Sequence, residues 1–452
     1  MNALLTFFYL ALSIAIVIFV PALVAPHVEI YGVWTTADAA KAVLLCAAIA
    51  FPVGFFAYKQ EADGPFLLRL FIAGLLLRML LGTTIFVFKG QEFFGGDALT
   101  YDYYGYLQLL GWGGDRYSQS IANVFVGGGL GSGWGMVYLV ASIYGLVGRN
   151  MLAVQLVNSV FGAATAVIIF LCAHHVFKNL RVARIAGIAV AFFPSLVLWS
   201  SQGLKDGPIV CLLALSILAT LKLGEKLSFQ YLAVLVFSLL ALLSLRFYVF
   251  YMLFFAIAGG FIIGLQAITT KSFLRQSSAI VLLGLALTYF GVTRSASLQF
   301  ESFGNLERVQ RSRLDLATSA ESGFGRDVDV SSTSGALSTI PMGLLYLLFA
   351  PFPWQIVSLR QSITLPEMVV WWASFPLLVL GLWFTVKYRL RMISPILIFT
   401  VMLSLAYSVF QGNVGTAYRQ RAQLLVFYFI FIAVGYVLML EKREERNRNR
   451  LR

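Results

Sequence analysis

The chain has 452 residues, 60% of them hydrophobic and only 12% charged. Soluble domains run at about 45–50% apolar and about 25% charged, so this length does not divide into soluble domains. The net charge of +13 has no soluble basic domain to carry it, which excludes a nucleic-acid partner. Part of that charge lies in the terminal Lys442, Arg443, Arg446, Arg448, Arg450 and Arg452, where a basic tail after an apolar run reads as a topology anchor on anionic cytoplasmic lipid.

Taken in order, the apolar runs predict twelve spans at 3–24, 38–58, 67–88, 151–177, 183–200, 207–223, 229–245, 247–268, 277–293, 367–386, 393–410 and 422–440. Each is helical, because a backbone in lipid must satisfy its own hydrogen bonds. The first run is long for a signal peptide and lacks a basic start. With both termini inside, the inner segments are short and hold 18 of the 33 basic residues with six acids. The outer segments hold 14 of each sign, mostly in long loops that count little for orientation. Two further apolar stretches, Gly133 to Val147 and Pro341 to Trp354, are too short to cross and are expected as juxtamembrane or re-entrant helices on the outer face. Cys46, Cys172 and Cys211 fall inside apolar runs and read as small buried hydrophobes. His27, His174 and His175 make no metal motif.

Polar residues crowd the outer edge. After span three comes Phe93, Phe94, Gly95, Gly96, Asp97, then Tyr101, Asp102, Tyr103 and Tyr104. A carboxylate at a membrane exit, with glycines before it and aromatics after it, suits a base held over a lipid headgroup with rings to stack on sugars. Asp97 and Asp102 are five apart and do not share a helix face, which favours one base with one supporting carboxylate. The same residues also read as a solvated acidic loop with an aromatic belt. The turn Trp199 to Gly207 holds Lys205 and Asp206: either a polar turn with Asp206 as helix N-cap, or a lysine placed to bind phosphate. Arg246, between two apolar runs, either snorkels or meets a phosphate. Arg78, deep in span three, is a functional candidate by depth, with a salt bridge or carbonyl clamp as the alternative. Arg419 and Arg421 oppose the positive-inside bias at the start of the last span, and a phosphate or pyrophosphate suits their guanidinium forks. The segment 294–340 mixes Arg294, Arg308, Arg311, Arg313 and Arg326 with Glu301, Glu307, Asp315, Glu321, Asp327 and Asp329. It predicts a solvated amphipathic helix near 303–317, or a lid, with a mobile loop over 315–339.

Many spans, the Gly95-Gly96-Asp97 motif with Tyr101 to Tyr104, juxtamembrane helices after it and outer arginines together resemble the GT-C superfamily of membrane glycosyltransferases. Gly203-Leu204-Lys205-Asp206 and Pro351-Phe352-Pro353-Trp354 look like segments of bacterial polysaccharide-assembly membrane proteins. The resemblance implies an all-α polytopic fold in a bacterial inner membrane, a polyprenyl-phosphate-linked sugar donor and a glycan or lipid-linked acceptor. It places Asp97 as base or metal-supported activator of the acceptor. One departure is that the acidic loop follows the third span rather than the first, which an added N-terminal hairpin explains. The division expected is then 1–66 as that hairpin, 67–293 as a catalytic module with outer loop 89–150, 294–366 as an outer loop with a juxtamembrane helix, 367–440 as C-terminal spans, and 441–452 as the tail. Lys205, Arg246, Arg419 and Arg421 are the expected phosphate ligands; Asp97 and Asp102 the carboxylates; Tyr101, Tyr103 and Tyr104 the sugar contacts. A divalent cation is left open, and neither a nucleotide nor a redox cofactor is expected. Two other readings stand beside this one: a polymerase or ligase using undecaprenyl-pyrophosphate glycans, led by the arginines, and a lipid-linked oligosaccharide flippase. A transporter calls for repeat symmetry and ionisable groups at mid-membrane, of which the sequence offers only Arg78.

Overall fold

The computed structural model describes residues 3–24, 35–88, 90–94, 96–127, 133–265, 269–294, 296, 299, 304–318, 322–356 and 358–450. His27, Gly95, Glu301, Glu321 and Arg452 lie outside the described residues. The chain is an all-α membrane protein, and 87% of the described residues are helical. Among the described residues there is no strand, only an isolated antiparallel bridge between Gly323 and Asn413.

The helices run α1 (Ala3–Val24), α2 (Thr36–Tyr58), α3 (Gly64–Val87), α4 (Gly90–Phe94), α5 (Asp97–Trp112), α6 (Arg116–Val126), α7 (Trp134–Val147), α8 (Met151–Phe177), α9 (Leu180–Phe192), α10 (Pro194–Ser200), α11 (Asp206–Glu225), α12 (Phe229–Leu245), α13 (Phe247–Ile263) and α14 (Thr270–Tyr289). They continue as Leu306–Thr318, Thr333–Phe349, Leu365–Phe410, Val414–Gln420 and Ala422–Arg450, with shorter turns between. Two compact units form: one from Met1–Val167 with Gly187–Cys211, the other from Ile168–Ala186 with Leu212–Arg452.

Among the described residues, six helices are long and apolar enough to cross a membrane: α2, α3, α8, α11, Leu365–Phe410 and Ala422–Arg450. The pair α9 and α10, bent by 55°, makes a seventh if taken as one span. In their described residues the twelve runs fall largely on helices, the run 183–200 being divided at Phe193. The 46 residues of Leu365–Phe410 carry two of the runs as two helices joined at a kink, where Arg389 is non-helical (φ −134°, ψ 16°). α12 and α13, at 17 residues each, span about 25 Å at 1.5 Å per residue, less than the hydrocarbon thickness of about 30 Å. Gly133 to Val147 forms α7 as expected. The second short stretch begins earlier than read, since Thr333–Phe349 takes Pro341 inside it, with Ser332 capping its start through Gly335 N–H. The expected loop at 315–339 is shorter: helix runs to Thr318 and resumes at Thr333. Between them Gln310 ties the chain down, donating to Val328 O and accepting from Val330 N–H.

Within the first unit, α1, α2 and α3 pack together, and α3 also contacts α10. α2 starts on a capping box, with Thr35 and Asp38 exchanging side-chain and backbone bonds. α9 ends because Pro194 has no N–H to give Val190 O. Arg78 supplies what is missing. From α3 its guanidinium donates to Ala191 O at 2.8 Å and Val190 O at 3.3 Å, to Gly74 O of its own helix at 3.0 Å, and through Nε to Ser200 Oγ at 2.8 Å. Of the alternatives for Arg78, the carbonyl clamp is the one formed. Gly162 makes room for it: a Cβ there would stand 2.3 Å from Ser200 Oγ and 2.5 Å from Arg78 Nε. Further along, Asn158 Nδ2 donates to both Gln202 O and Leu204 O at 2.6 Å. A Cβ on Gly82 would meet Ser201 O at 2.8 Å, so that glycine lets α3 approach the turn.

Arg78→Gln and Gly162→Ala are expected to lower the thermal unfolding temperature of the detergent-solubilised protein. Each carbonyl left unsatisfied costs about 1–3 kcal/mol. Unchanged melting of both variants would remove the clamp as a determinant of this fold.

Candidate active site

The turn fixed by Arg78 and Asn158 presents Lys205, which is half-buried, ahead of the buried Asp206 in the first turn of α11. The first turn of α5 stands close to this turn, since Ala98 Cβ is 3.9 Å from where a Gly203 Cβ would be. Asp97 opens α5 and is exposed; a carboxylate is stabilised there by the helix N-terminus. Tyr101, one turn later on the same face, is buried. Its hydroxyl and Lys205 Nζ each come within 3.1 Å of where a Cβ on Gly133 would sit, and Gly133 has φ +104°. The structure therefore brings Tyr101 and Lys205 together over Gly133, with Asp97 one turn from Tyr101.

Asp102 has a different job. It is buried between α5 and α7, accepts a hydrogen bond from Tyr144 Oη, and is bridged by Arg149 Nη2 at 2.5 Å. The Arg149 guanidinium lies over the Tyr106 ring at 4.6 Å. Burial and the Asp102 carboxylate push the Tyr144 hydroxyl well above its ordinary value. Burial works against the charge on Arg149, but its hydrogen bond to Asp102 outweighs that and holds its pKa above the usual value. Of the tyrosines, Tyr103 is exposed, whereas Tyr104 stacks on Phe125 at 4.0 Å, which occupies one ring face.

In the second unit, Arg246 breaks the chain between α12 and α13 (φ −160°, ψ 87°). It is buried rather than snorkelling, and its Nη1 donates to Tyr407 Oη at 3.5 Å, which in turn donates to Gln423 Oε1 at 3.1 Å. Arg421 is buried too. It donates to Leu347 O at 2.6 Å and to Ala350 O, and lies 3.1 Å from Met368 Sδ. Arg419 is half-buried in the last turn of Val414–Gln420, a helix that Asn413 caps by accepting from Gly415 N–H and Thr416 N–H. Asp97, Asp102, Tyr101, Tyr103, Tyr104 and Lys205 thus belong to the first unit, and Arg246, Arg419 and Arg421 to the second. Among the described residues no three His, Cys, Asp or Glu side chains gather as a metal site.

Two arginines escaped the sequence reading. Arg149 follows Gly148 at the α7 exit, with nothing around it in sequence to announce Asp102 as its partner. Arg313, expected on a solvated face, is instead buried, donating to Gln411 O at 3.1 Å and lying 5.7 Å from the Phe324 ring centre. A signal was there: Leu306, Val309, Arg313 and Ala317 recur at helical spacing, so Arg313 sits in an apolar stripe.

Residues 134–292 match a family model, that of the dolichyl-phosphate-mannose-protein mannosyltransferases. That family belongs to the GT-C superfamily of membrane glycosyltransferases. The resemblance thus has support from residues beyond the Gly-Gly-Asp segment on which it was drawn. The match implies a membrane glycosyltransferase using polyprenyl-phosphate-linked sugar donors. It begins at Trp134, one residue after Gly133, and takes in α7, Arg149, the Lys205 turn and Arg246. No curated protein matches the chain.

Replacing Arg149 with Met leaves the Asp102 carboxylate buried without its cation. Breaking such a pair costs about 3–5 kcal/mol, and the Asp102→Asn/Arg149→Met double variant is expected to recover part of it. Thermal unfolding of the four proteins of this cycle measures the coupling. A single variant as stable as the parent would show that the pair does not hold α5 to α7.

Proposed function

We propose that the chain transfers a sugar from a polyprenyl-phosphate donor to a lipid-linked or cell-envelope glycan on the non-cytoplasmic face of a bacterial inner membrane. Both termini lie in the cytoplasm and twelve apolar segments lie in the bilayer. The observation that carries this reading is the close placement of Tyr101 and Lys205 over Gly133, with Asp97 one turn away, beside a segment matching a GT-C family. The exposed Asp97 carboxylate accepts the proton of the acceptor hydroxyl. The new bond forms between that oxygen and the anomeric carbon as the bond from the anomeric carbon to the phosphate oxygen breaks. The electron pair leaves with the phosphate, whose growing charge Lys205 stabilises. Tyr101 lends its hydroxyl to the phosphate or to Lys205, and Tyr103 presents an exposed ring to sugar.

Asp102 is a positioning residue in this scheme: through Tyr144 and Arg149 it holds α5 against α7 and so sets the direction of Asp97. Arg419 remains a phosphate ligand of the proposal. Arg246 and Arg421 serve as scaffold in this scheme, with donors that meet Tyr407, Leu347 O and Ala350 O. That commitment also weakens the arginine-led polymerase reading.

Asp97→Asn is expected to lower kcat for sugar transfer from a polyprenyl-phosphate donor by about 10²–10⁴-fold, the usual contribution of a general base, with expression and melting unchanged. Lys205→Met should raise the donor KM and lower kcat. Radiolabelled sugar transfer in detergent measures both. Full activity of Asp97→Asn at normal expression removes it as base, whatever Lys205 does.

A further inference from the structure

α5 presents two working faces. Asp102, Gly105 and Leu109 turn to α7, where a Cβ on Gly105 would stand 2.4 Å from Val140 Cγ1. Asp97, Tyr101, Tyr104, Gln108 and Gly111, spaced at helical intervals, share the other. Against the far half of that second face lies α6. Tyr104 stacks on Phe125 near the end of α6, and Gln108 Nε2 donates to Gln119 Oε1 at 3.2 Å near its start, so the two helices run antiparallel. Gly111 allows the contact, since a Cβ there would stand 2.3 Å from Gln119 Oε1.

Beside this contact is a groove of about 750 Å³, lined by Gly111, Gly114, Arg116, Gln119, Ser120 and Asn123, among others. Its polar groups are ordered from beneath. Gln108 donates to Gln119, and Gln119 Nε2 donates to Asn123 Oδ1 at 2.8 Å. That relay uses the Asn123 carbonyl oxygen and leaves its Nδ2 as a donor. Among the described residues, the Arg116 guanidinium, the Ser120 hydroxyl and Asn123 Nδ2 meet no protein partner. The neighbouring Asp115 carboxylate is turned to α6 itself, accepting from Tyr117 N–H at 3.0 Å and Ser118 Oγ at 2.6 Å. Two exposed rings, Tyr117 and Trp112, flank the groove in sequence.

We infer that this groove is a subsite for an acidic oligosaccharide, the part of the acceptor glycan remote from the transfer point. The groove is rich in donors and holds a guanidinium, so it suits a ligand made of acceptors: sugar ring and hydroxyl oxygens with a carboxylate on the chain. The free groups lie along α6 in the direction of Tyr104, and Tyr104 shares its α5 face with Tyr101 and Asp97. Gly111 is about 21 Å from Asp97 along the helix axis at 1.5 Å per residue, so one ligand reaches both only if it is several sugars long. This inference rests on the reading of Asp97 as the transfer point.

The test uses the full chain in detergent and three probes: hexagalacturonate, monomeric galacturonate and neutral maltohexaose, read by isothermal titration calorimetry. Hexagalacturonate is expected to bind more tightly than the other two. Arg116→Gln and Asn123→Leu should each weaken it by about tenfold, the scale of a lost charge-assisted hydrogen bond. Asp97→Asn should bind it as the parent does while losing transfer. Equal affinity for the acidic and neutral hexamers, or hexagalacturonate binding that survives both groove variants, overturns the subsite and leaves the Asp97 mechanism standing. Arg116-dependent binding to phosphatidylglycerol vesicles with no binding of hexagalacturonate overturns it in favour of a lipid headgroup. Retained transfer by Asp97→Asn, with groove binding intact, sinks the mechanism instead.

Discussion

A proline inside an apolar helical run leaves a carbonyl that no water in the hydrocarbon can reach, and the arrangement of this protein's first unit follows from how that carbonyl is met. Pro194 breaks the helix after Phe192, and the Arg78 guanidinium donates to Val190 O and Ala191 O in place of the lost backbone donor. A lysine could not replace it: one ammonium lacks the planar fork that reaches two carbonyls, its own helix and Ser200 at once. Ser200 is thereby anchored, Asn158 takes up Gln202 O and Leu204 O, and the next residue is Lys205. An intramembrane charge thus acts by shaping the backbone at the membrane edge, where the proposed chemistry takes place.

The same economy recurs in the second unit. Arg421 meets two carbonyls and Arg313 one, at places where helices end and the chain turns. These two buried guanidinium groups satisfy backbone oxygens at helix ends. Groups with open surface, Asp97 and the half-buried Lys205 and Arg419, are therefore better suited to a transient ligand. Burial separates the two sets, and position in the sequence does not: Arg419 and Arg421 are two residues apart and differ in kind.

What could be read from the sequence follows the same division. Apolar runs of about 20 residues announce helices because lipid forbids other backbones, so the all-α membrane fold was legible. The way the runs join was not. The two runs in Leu365–Phe410 meet at a kink at Arg389 with no loop between them, and Pro194 splits another run without ending it. The exposure of Asp97 agrees with its place in a polar segment of the sequence. That Asp102 faces away from it followed from the five-residue spacing, but its partners Tyr144 and Arg149 lie more than forty residues on, where no local pattern reaches. Arg313 was misread because mixed charge dominates its segment, although its place in an apolar stripe marked it as buried.

The role of α5 explains why its sequence looks unlike a span. A helix of 16 residues with Asp97, Asp102, Gln108, two internal glycines and four tyrosines is too polar to cross lipid. Each of those departures has a place in the structure. Gly105 admits Val140 of α7, and Gly111 admits Gln119 of α6. Asp102 ties the helix to α7, and Gln108 orders the amides of α6. Held on both flanks, α5 has little freedom to rotate, and Asp97 at its first turn inherits that rigidity. The general base proposed at Asp97 is effective only if its direction is set in advance, and the two helices that flank α5 supply that constraint along its length rather than at Asp97 itself.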